Sequence, residues 1–501
     1  MQDLTPSSSS SSFATNVLKL TTGSVFAQGL AVLVAPIVAR LFAPEAFGVA
    51  ALFASITGII SVVACLRYQL SIMLAKTDEE ASNLLGVSLF FVLIITGASA
   101  LLIFFADDLI VKLLNSPELK KYLWLTPIAV FVNGVFLALN YWSSRTKHFG
   151  RLSIARVVSS VITQAGNLGA GFSGFVSGGV LIVARVLGQF VSTVLLAAQI
   201  WRGDHRLFNN NIRSKKMIAG LKRYKKFPIY NTWSALLNTI SQFLPILFLA
   251  YFFSSKIVGF FAFGLQVLFL PASLIGQAVG QVFFQKASDA RNQGQLGVVV
   301  EEVFRRLVAL GMFPFLVLMF LGKDLFSFIF GPQWSEAGVY VQILCPWVFF
   351  TFIFSPLSFL FLILEAQKEA LFVDVVFLTS RCIVLTAGGF LGNPNVTVAL
   401  FSFFGTIIIC CLIFFWVFPK TGVAPKKATI ILFRYLLISL PALIIIGWSN
   451  YIIEFHFLVT LGICFICTIL YYTLVLYNDL YMTSQLIVFF RNLPRQAKNN
   501  T

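Results

Sequence analysis

Acidic residues are scarce in this sequence: Asp and Glu number 19 among 501 residues, and all charged residues together make up 11%. A soluble globular chain carries about 25% charged residues, so a chain this poor in charge and 58% hydrophobic is excluded from that class. Histidine is almost missing. The three present, His148, His205 and His456, lie in or beside loops without ligand spacing, which excludes a His-built metal centre. Four of the seven Cys (Cys410, Cys411, Cys464 and Cys467) sit in apolar runs, where a thiol behaves as a small hydrophobe. Cys464 and Cys467 form a lone CxxC without the second pair of a zinc or redox site.

Nucleotide-binding signatures are lacking too. Gly322-Lys323 has neither the upstream Gly nor the following Ser or Thr of a P-loop. Gly169 to Gly174 satisfies GxGxxG but ends an apolar run with no strand before it. Long polar insertions are absent as well, and the longest loop expected outside the cytoplasm, near 107–121, is too short to carry a catalytic domain. A membrane polymerase or ligase is therefore disfavoured. The chain is expected not to be an enzyme and to need no cofactor.

What the chain has in abundance is apolar runs of about 20 residues, the length of helix that crosses roughly 30 Å of hydrocarbon. They recur from Thr22 to Tyr477. The expected fold is an all-α integral membrane protein of about fourteen helices. Spans are expected near 22–41, 46–66, 83–106, 122–142, 152–173, 176–200, 230–252, 257–281, 305–329, 338–363, 370–391, 396–418, 429–449 and 456–477. Pro44 and Pro117 suit first helical turns, and Thr77 with Glu80 has capping-box spacing before the third span. The Ser7 to Ser12 tract reads as part of a disordered tail, and without a basic n-region and cleavage site before it the first apolar run is expected to be a retained helix.

The formal charge of +17 suggests nucleic acid at first sight, but the 36 Lys and Arg lie mainly in the breaks between apolar runs, where membrane topology explains them. No nucleic-acid module is visible. Between Arg202 and Lys226 nine basic residues face one acid, Asp204, which marks a cytoplasmic loop. Arg145, Lys147 and Arg151, then Lys286 and Arg291, then Lys420, Lys426 and Lys427 fall on the same side, so both termini are expected in the cytoplasm.

A weak internal repeat is legible. Leu41 to Ala51, with Gly48, aligns with Phe252 to Ala262, with Gly259, at an offset of 211 residues. Further on the offset becomes 219, with Pro127 against Pro346, Leu152 against Leu371 and Gly169 against Gly388. Six-helix copies enter the membrane from the same side, so they are expected to be related by a pseudo-two-fold axis along the membrane normal, with a cleft between two lobes. The resulting organisation is a tail (1–21), an N-lobe of six helices (22–200), a basic cytoplasmic linker (201–229), a C-lobe of six helices (230–418), two further helices (419–477) and a cytoplasmic tail (478–501).

Ionisable groups inside spans are expensive, on the order of 2.5 to 3.5 kcal/mol for an Arg at the bilayer centre, and mark function or helix pairing. In span five Arg156, Ser160, Thr163 and Asn167 share one helical face; in span six Arg185, Gln189 and Ser192 do; in span eleven Asp374 and Arg381 do. A cationic cleft is expected from them, with helix-to-helix pairing as the alternative. Spans seven (Asn231, Ser234, Asn238, Gln242) and eight (Gln266, Ser273, Gln277, Gln281) carry uncharged polar faces suited to sugar hydroxyls or to interhelical hydrogen bonds. The candidate substrate contacts are Arg156, Arg185, Arg381, Asn167, Gln189, Asn238, Gln242 and Gln277. Asp374 is the candidate for ion coupling.

The stretch Ala39-Arg-Leu-Phe-Ala-Pro-Glu-Ala-Phe-Gly48, with Leu66-Arg-Tyr-Gln-Leu-Ser-Ile-Met-Leu-Ala-Lys-Thr-Asp-Glu-Glu-Ala81, resembles the N-terminal hallmark of the polysaccharide transporter family. That family includes Wzx-type O-antigen flippases and belongs to the multidrug, oligosaccharidyl-lipid and polysaccharide exporter superfamily. Gln69 stands where similar sequences commonly have an acid. The resemblance implies two six-helix lobes and transport of undecaprenyl pyrophosphate-linked repeat units from the cytoplasmic to the periplasmic leaflet of a bacterial inner membrane, with a polysaccharide polymerase and copolymerase as partners. It also implies alternating access, driven by an ion gradient or by consumption of the product. A drug exporter of the same superfamily is the alternative and would favour intramembrane carboxylates over Arg. Arg40 and Arg67 belong to the resembling stretch, and their places at span ends fit snorkelling to the interface.

Overall fold

The protein is described by a computed structural model covering residues 8–451 and 457–478, with side chains for all of these except 8–22, 206, 209–211, 271–275, 277, 278, 281, 451 and 478. His456 and the C-terminal tail beyond 478 lie outside the described residues. The helices are α1 (Ser8–Leu41), α2 (Pro44–Ser61), α3 (Asp78–Leu113), α4 (Thr126–Arg145), α5 (Phe149–Phe172), α6 (Gly178–Asn211), α7 (Ser214–Arg223), α8 (Thr232–Phe252), α9 (Ser255–Asn292), α10 (Leu296–Phe330), α11 (Ser335–Leu357), α12 (Gln367–Phe390), α13 (Pro394–Cys411), α14 (Pro425–Tyr451) and α15 (Phe457–Asn478). Short helical turns join several of them, and no strand occurs among the described residues.

Eleven helices among the described residues are long and apolar enough to cross a membrane, and twelve if the bent pair Pro117–Leu123 and Thr126–Arg145, at 56°, is one span. The protein is a multi-pass membrane protein. Two more helices are long and fall outside that set: α5, with 24 residues, and α9, whose described apolar stretch is Ser255–Leu270. A 24-residue helix is about 36 Å long, enough for the hydrocarbon core, so α5 is set apart by its polar face and not by its length.

Local chemistry explains the helix starts. Pro44 and Pro117 occupy first-turn positions, where the missing N–H would have no partner anyway. Thr77 caps α3: its hydroxyl accepts from the Glu80 N–H at 3.2 Å, and the Glu80 carboxylate accepts from the Lys76 N–H at 2.9 Å. Asp78, Glu79 and Glu80 place negative charge at the positive end of the α3 dipole. The serine tract is a correction to the sequence reading, because α1 begins at Ser8 and most of the expected disordered tail is helical backbone. Once the apolar residues that follow have nucleated a helix, extending it through Ser costs only tenths of a kcal/mol per residue.

The chain packs as two compact units: 1–270 with 326–340 and 370–401, and 271–325 with 341–369 and 402–501. In the first, α5 lies against α1 and α6, α4 against α3 and α6, and α2 against α6 and α8. Its core holds Trp142, Leu196, Val130 and Leu84, all fully buried. In the second, α14 packs against α15, and Tyr471 and Tyr472 donate to the α10 carbonyls of Ala309 (2.8 Å) and Leu310 (2.9 Å). Asn450 there donates to Asp324 at 3.0 Å.

The basic linker is held down within the first unit. Lys216 pairs with Glu79, Arg223 with Glu80 at 2.7 Å, and the Tyr68 hydroxyl donates to the Leu221 carbonyl at 3.2 Å. Nearby, the Asp204 carboxylate accepts from the Trp142 indole at 2.9 Å and from Arg151 at 3.1 Å, with Asp204 and Trp142 buried. Arg40 does more than snorkel: it donates to the carbonyls of Phe328 (2.7 Å) and Ile329 (3.2 Å), capping the last turn of α10. Asp204→Ala would strand the buried Trp142 indole and the partly buried Arg151 guanidinium and is expected to destabilise the protein by about 3 kcal/mol, whereas Trp142→Phe loses one hydrogen bond at about 1 kcal/mol plus a smaller ring. Thermal unfolding midpoints of the detergent-solubilised variants, ranked in that order, are the check.

Candidate functional site

A cavity of about 790 Å³ opens inside the first unit, between α1, α2, α4, α5, α6, α8 and α9. Its size falls within the roughly 300 to 1,000 Å³ typical of ligand pockets. Small residues make the room. Ala31 and Ala35 on α1, and Ala50, Ala51, Ala54 and Gly58 on α2, carry almost no side chain into it. The polar lining comes mainly from α5 and α6: Ser159, Ser160, Thr163, Gln164 and Asn167 from the first, and Arg185 and Gln189 from the second. Gln266 on α9 and Asn133 on α4 add two more amides.

These positions follow from helical spacing. Residues three, four and seven apart fall on one face, so a single rotation of α5 turns Ser159, Ser160, Thr163 and Asn167 inward together. Most of that face is locally satisfied. Ser160 donates to the Ala27 carbonyl at 2.8 Å and Thr163 to the Ala184 carbonyl at 3.4 Å. Asn167 is buried, and its carbonyl oxygen has no partner among the described residues.

Arg185 differs from the other intramembrane cations. Its side chain reaches the cavity, it is the one charged residue among those lining it, and it has no hydrogen bond or ion pair with any described residue. Arg156, one turn before Ser159 and Ser160 on α5, donates to the Ser24 hydroxyl at 2.6 Å and does not line the cavity. Arg381 lies elsewhere in the same unit. It donates to the Ser241 carbonyl and hydroxyl, both at 2.8 Å, and its guanidinium lies over the rings of Phe377 (5.4 Å) and Phe401 (5.8 Å).

Of the eight candidate contacts, Arg185, Asn167 and Gln189 are brought together. Asn238 and Gln242 form a second cluster: Gln242 donates to the Asn238 side-chain oxygen at 2.5 Å, Asn238 is hydrogen-bonded to the Asp374 carboxylate, and Arg381 is near enough to interact with that charge. Gln277 has a side chain outside the described set. Ser159, Gln164 and Asn133 were not singled out in the sequence. Ser159 and Gln164 flank the face already recognised on α5, so a wider arc would have included them; Asn133 is one polar residue in an apolar span and gave no periodic signal. No group of three or more His, Cys, Asp or Glu suited to a metal ion occurs among the described residues.

The cavity can do one thing chemically: offer a guanidinium fork and several neutral hydrogen-bonding groups to an anionic, hydroxyl-rich ligand without an opposing carboxylate. Because Arg381 is bonded on one side and stacked on the other, Arg381→Ala is expected to lower the unfolding midpoint by several degrees. Arg185→Ala, with no hydrogen bond or ion pair to lose, is expected to leave it within about 1 °C of the parent, since changes away from bonded networks stay within about 0.5 kcal/mol. Thermal unfolding followed by size-exclusion chromatography separates the two outcomes.

Comparison with known proteins agrees with this architecture. The lipid II flippase MurJ in an inward closed conformation superposes with a TM-score of 0.72 at 15% identity, over 93% of this chain and 99% of that one. A multidrug resistance MATE family transporter of the MOP superfamily, inward-facing, gives 0.62 at 15% identity, over 81% and 96%. MATE in complex with MaD3S gives 0.53 at 15% identity, over 82% and 96%. No curated protein sequence matches the chain significantly. At these identities the structural matches establish the shared fold. The family described as polysaccharide biosynthesis protein matches residues 37–339, more than half of the sequence, and the chain belongs to that family.

Proposed function

We propose that this protein is a flippase that carries an undecaprenyl pyrophosphate-linked oligosaccharide, an O-antigen or other polysaccharide repeat unit, from the cytoplasmic to the periplasmic leaflet of a bacterial inner membrane. The observation that carries the reading is Arg185, a guanidinium without a hydrogen bond or ion pair among the described residues, in a cavity otherwise lined by apolar and neutral polar residues. A drug or small-cation exporter with the same fold would need a carboxylate in that cavity, and none lines it. Membership of a polysaccharide biosynthesis family and the fold shared with a lipid II flippase support the same class of substrate.

In this mechanism Arg185 draws the diphosphate by charge-assisted bidentate hydrogen bonds, and Arg156, on the neighbouring helix α5 and outside the cavity lining, adds positive charge to the path. Asn167 and Gln189 bond the sugar hydroxyls, and the polyprenyl tail stays in the bilayer. Two six-helix lobes, 22–200 and 230–418, rock about the cavity to expose it first to one side and then to the other. Asp374, held by Asn238 beside Gln242 and Arg381, is the point at which a cation gradient would act. Gln277 is placed with the sugar contacts by its helical face alone. Both termini and the basic linker lie in the cytoplasm by the excess of Lys and Arg in the loops on that side. A polymerase and its copolymerase take the product in the periplasm.

Deletion of the gene is expected to accumulate the undecaprenyl-linked oligosaccharide in the cytoplasmic leaflet and to remove the surface glycan; a normal surface glycan refutes the flippase reading. Complementation with Arg185→Ala is expected to restore less than a tenth of the glycan at unchanged protein abundance. Loss of the protein itself would assign Arg185 to packing.

A further inference from the structure

The internal repeat of the sequence meets itself in space. Gly48 of α2 and Gly259 of α9 are equivalent at the 211-residue offset, and their backbones touch. A methyl group on Gly48 would fall inside the Ser255 carbonyl and lie 3.1 Å from the Gly259 nitrogen. A methyl on Gly259 would fall inside the Pro44 carbonyl and lie 3.1 Å from the Gly48 nitrogen. Pro44 and Ser255 are themselves equivalent at the same offset, so the contact is reciprocal atom for atom. So is its ion pair, because Glu45 and Lys256 are equivalent positions and lie 3.4 Å apart. A local two-fold axis therefore passes through the crossing.

One turn further along each helix the walls are apart. Ala51 and Ala262, equivalent again, both line the cavity, and so do Phe47, next to Gly48, and Phe263, one turn past Gly259. Phe47 and Phe263 pack edge to face at 5.1 Å, and both touch Trp334, whose indole donates to the Ala39 carbonyl at 2.7 Å. The crossing thus stands at the end of the cavity, at the loop between α1 and α2 and the loop between α8 and α9, which lie on the face opposite the basic linker.

We propose that the Gly48–Gly259 crossing, tied by Glu45 and Lys256, is the outward gate of the cavity, the place where the two repeat copies part when the cavity opens away from the cytoplasm. The proposal rests on the alternating-access reading above and names the residues that carry its outward step. At the glycines themselves backbone meets backbone, with no side chains to disengage, and the side-chain packing that parts with them is the edge-to-face contact of Phe47 with Phe263 and Trp334. Its ties are weak. The Glu45–Lys256 pair is about half exposed, with relative exposures of 47% and 53%, and pairs of that kind contribute roughly 0 to 1 kcal/mol. Two further bonds, Asn115 to the Phe253 carbonyl at 2.7 Å and Ser255 to Ser116 at 3.0 Å, are neutral and at the water-facing end. Trp334 to the Ala39 carbonyl and Arg40 to the Phe328 and Ile329 carbonyls also join the two copies at this end, so these bonds part together with the crossing when the lobes rock.

The test uses the full chain in right-side-out membrane vesicles, with Ala51→Cys as a reporter of the cavity and a membrane-impermeant maleimide added outside. Labelling is compared with that of the chain without the reporter, which accounts for native thiols. Gly48→Val is expected to wedge the crossing open and raise the labelling rate at least fivefold. Glu45→Lys, which sets two lysines against each other, is expected to raise it at least twofold, and the swap Glu45→Lys with Lys256→Glu is expected to return it to the parent value. If Gly48→Val fails to fold, the charge pair and its swap decide alone. A rate that Glu45→Lys leaves unchanged, or that the swap fails to restore, overturns the gate. Because labelling needs no substrate, a wrong flippase assignment would leave these results standing, and a wrong gate would leave the glycan phenotype standing.

Discussion

A guanidinium inside hydrocarbon has to be satisfied, and the structure depends on how each one is. Leaving an Arg at the bilayer centre costs on the order of 2.5 to 3.5 kcal/mol on insertion scales, so every intramembrane Arg needs water, a partner or a ligand. Three solutions coexist in the first unit. Arg156 takes the Ser24 hydroxyl, Arg381 takes the Ser241 carbonyl and hydroxyl between two aromatic rings, and Arg40, at the end of a span, takes two carbonyls at the end of α10. Arg185 takes none of these and instead faces an open cavity. The Ala and Gly residues of α1 and α2 that make that space, and the inward turn of the polar α5 face, are consequences of the same requirement.

Much of this was legible in the sequence because bilayer helices obey simple periodicities. Run length placed twelve of the fourteen expected spans, counting the bent pair as one, and the 3.6-residue repeat placed Arg185 with Gln189 and grouped Ser160, Thr163 and Asn167 on one side of α5. The Thr77 capping box was readable because it is local, and its two hydrogen bonds form. Partnerships between distant segments were hidden. Nothing near Arg381 in the chain announces Ser241, and nothing near Arg156 announces Ser24, since both contacts are set by how helices rotate against one another. For that reason three arginines on polar faces read alike in sequence, although one lines a cavity and two are bonded to neighbours. Helical continuation through a serine tract was misjudged because composition describes an isolated segment and ignores the helix already nucleated beside it.

The repeat was the most informative weak signal. Eleven aligned residues with two matched glycines are slight evidence of ancestry, yet the matched positions turn out to be those that touch. Symmetry supplies the reason. Equivalent residues on a two-fold axis meet their own counterparts, so whatever occupies the axis must be small in both copies or clash in both. The cavity begins where the axis-crossing helices diverge.

The central claim is that Arg185 serves an anionic ligand. It is tested most directly by the thermal stabilisation that undecaprenyl pyrophosphate confers on the purified full chain, measured against undecaprenol as the uncharged control. Undecaprenyl pyrophosphate at ten times its dissociation constant should stabilise the parent protein by about 1.4 kcal/mol, undecaprenol should not, and Arg185→Gln should lose the difference at an unchanged ligand-free midpoint. Equal stabilisation of the parent and the variant by the diphosphate would contradict the account.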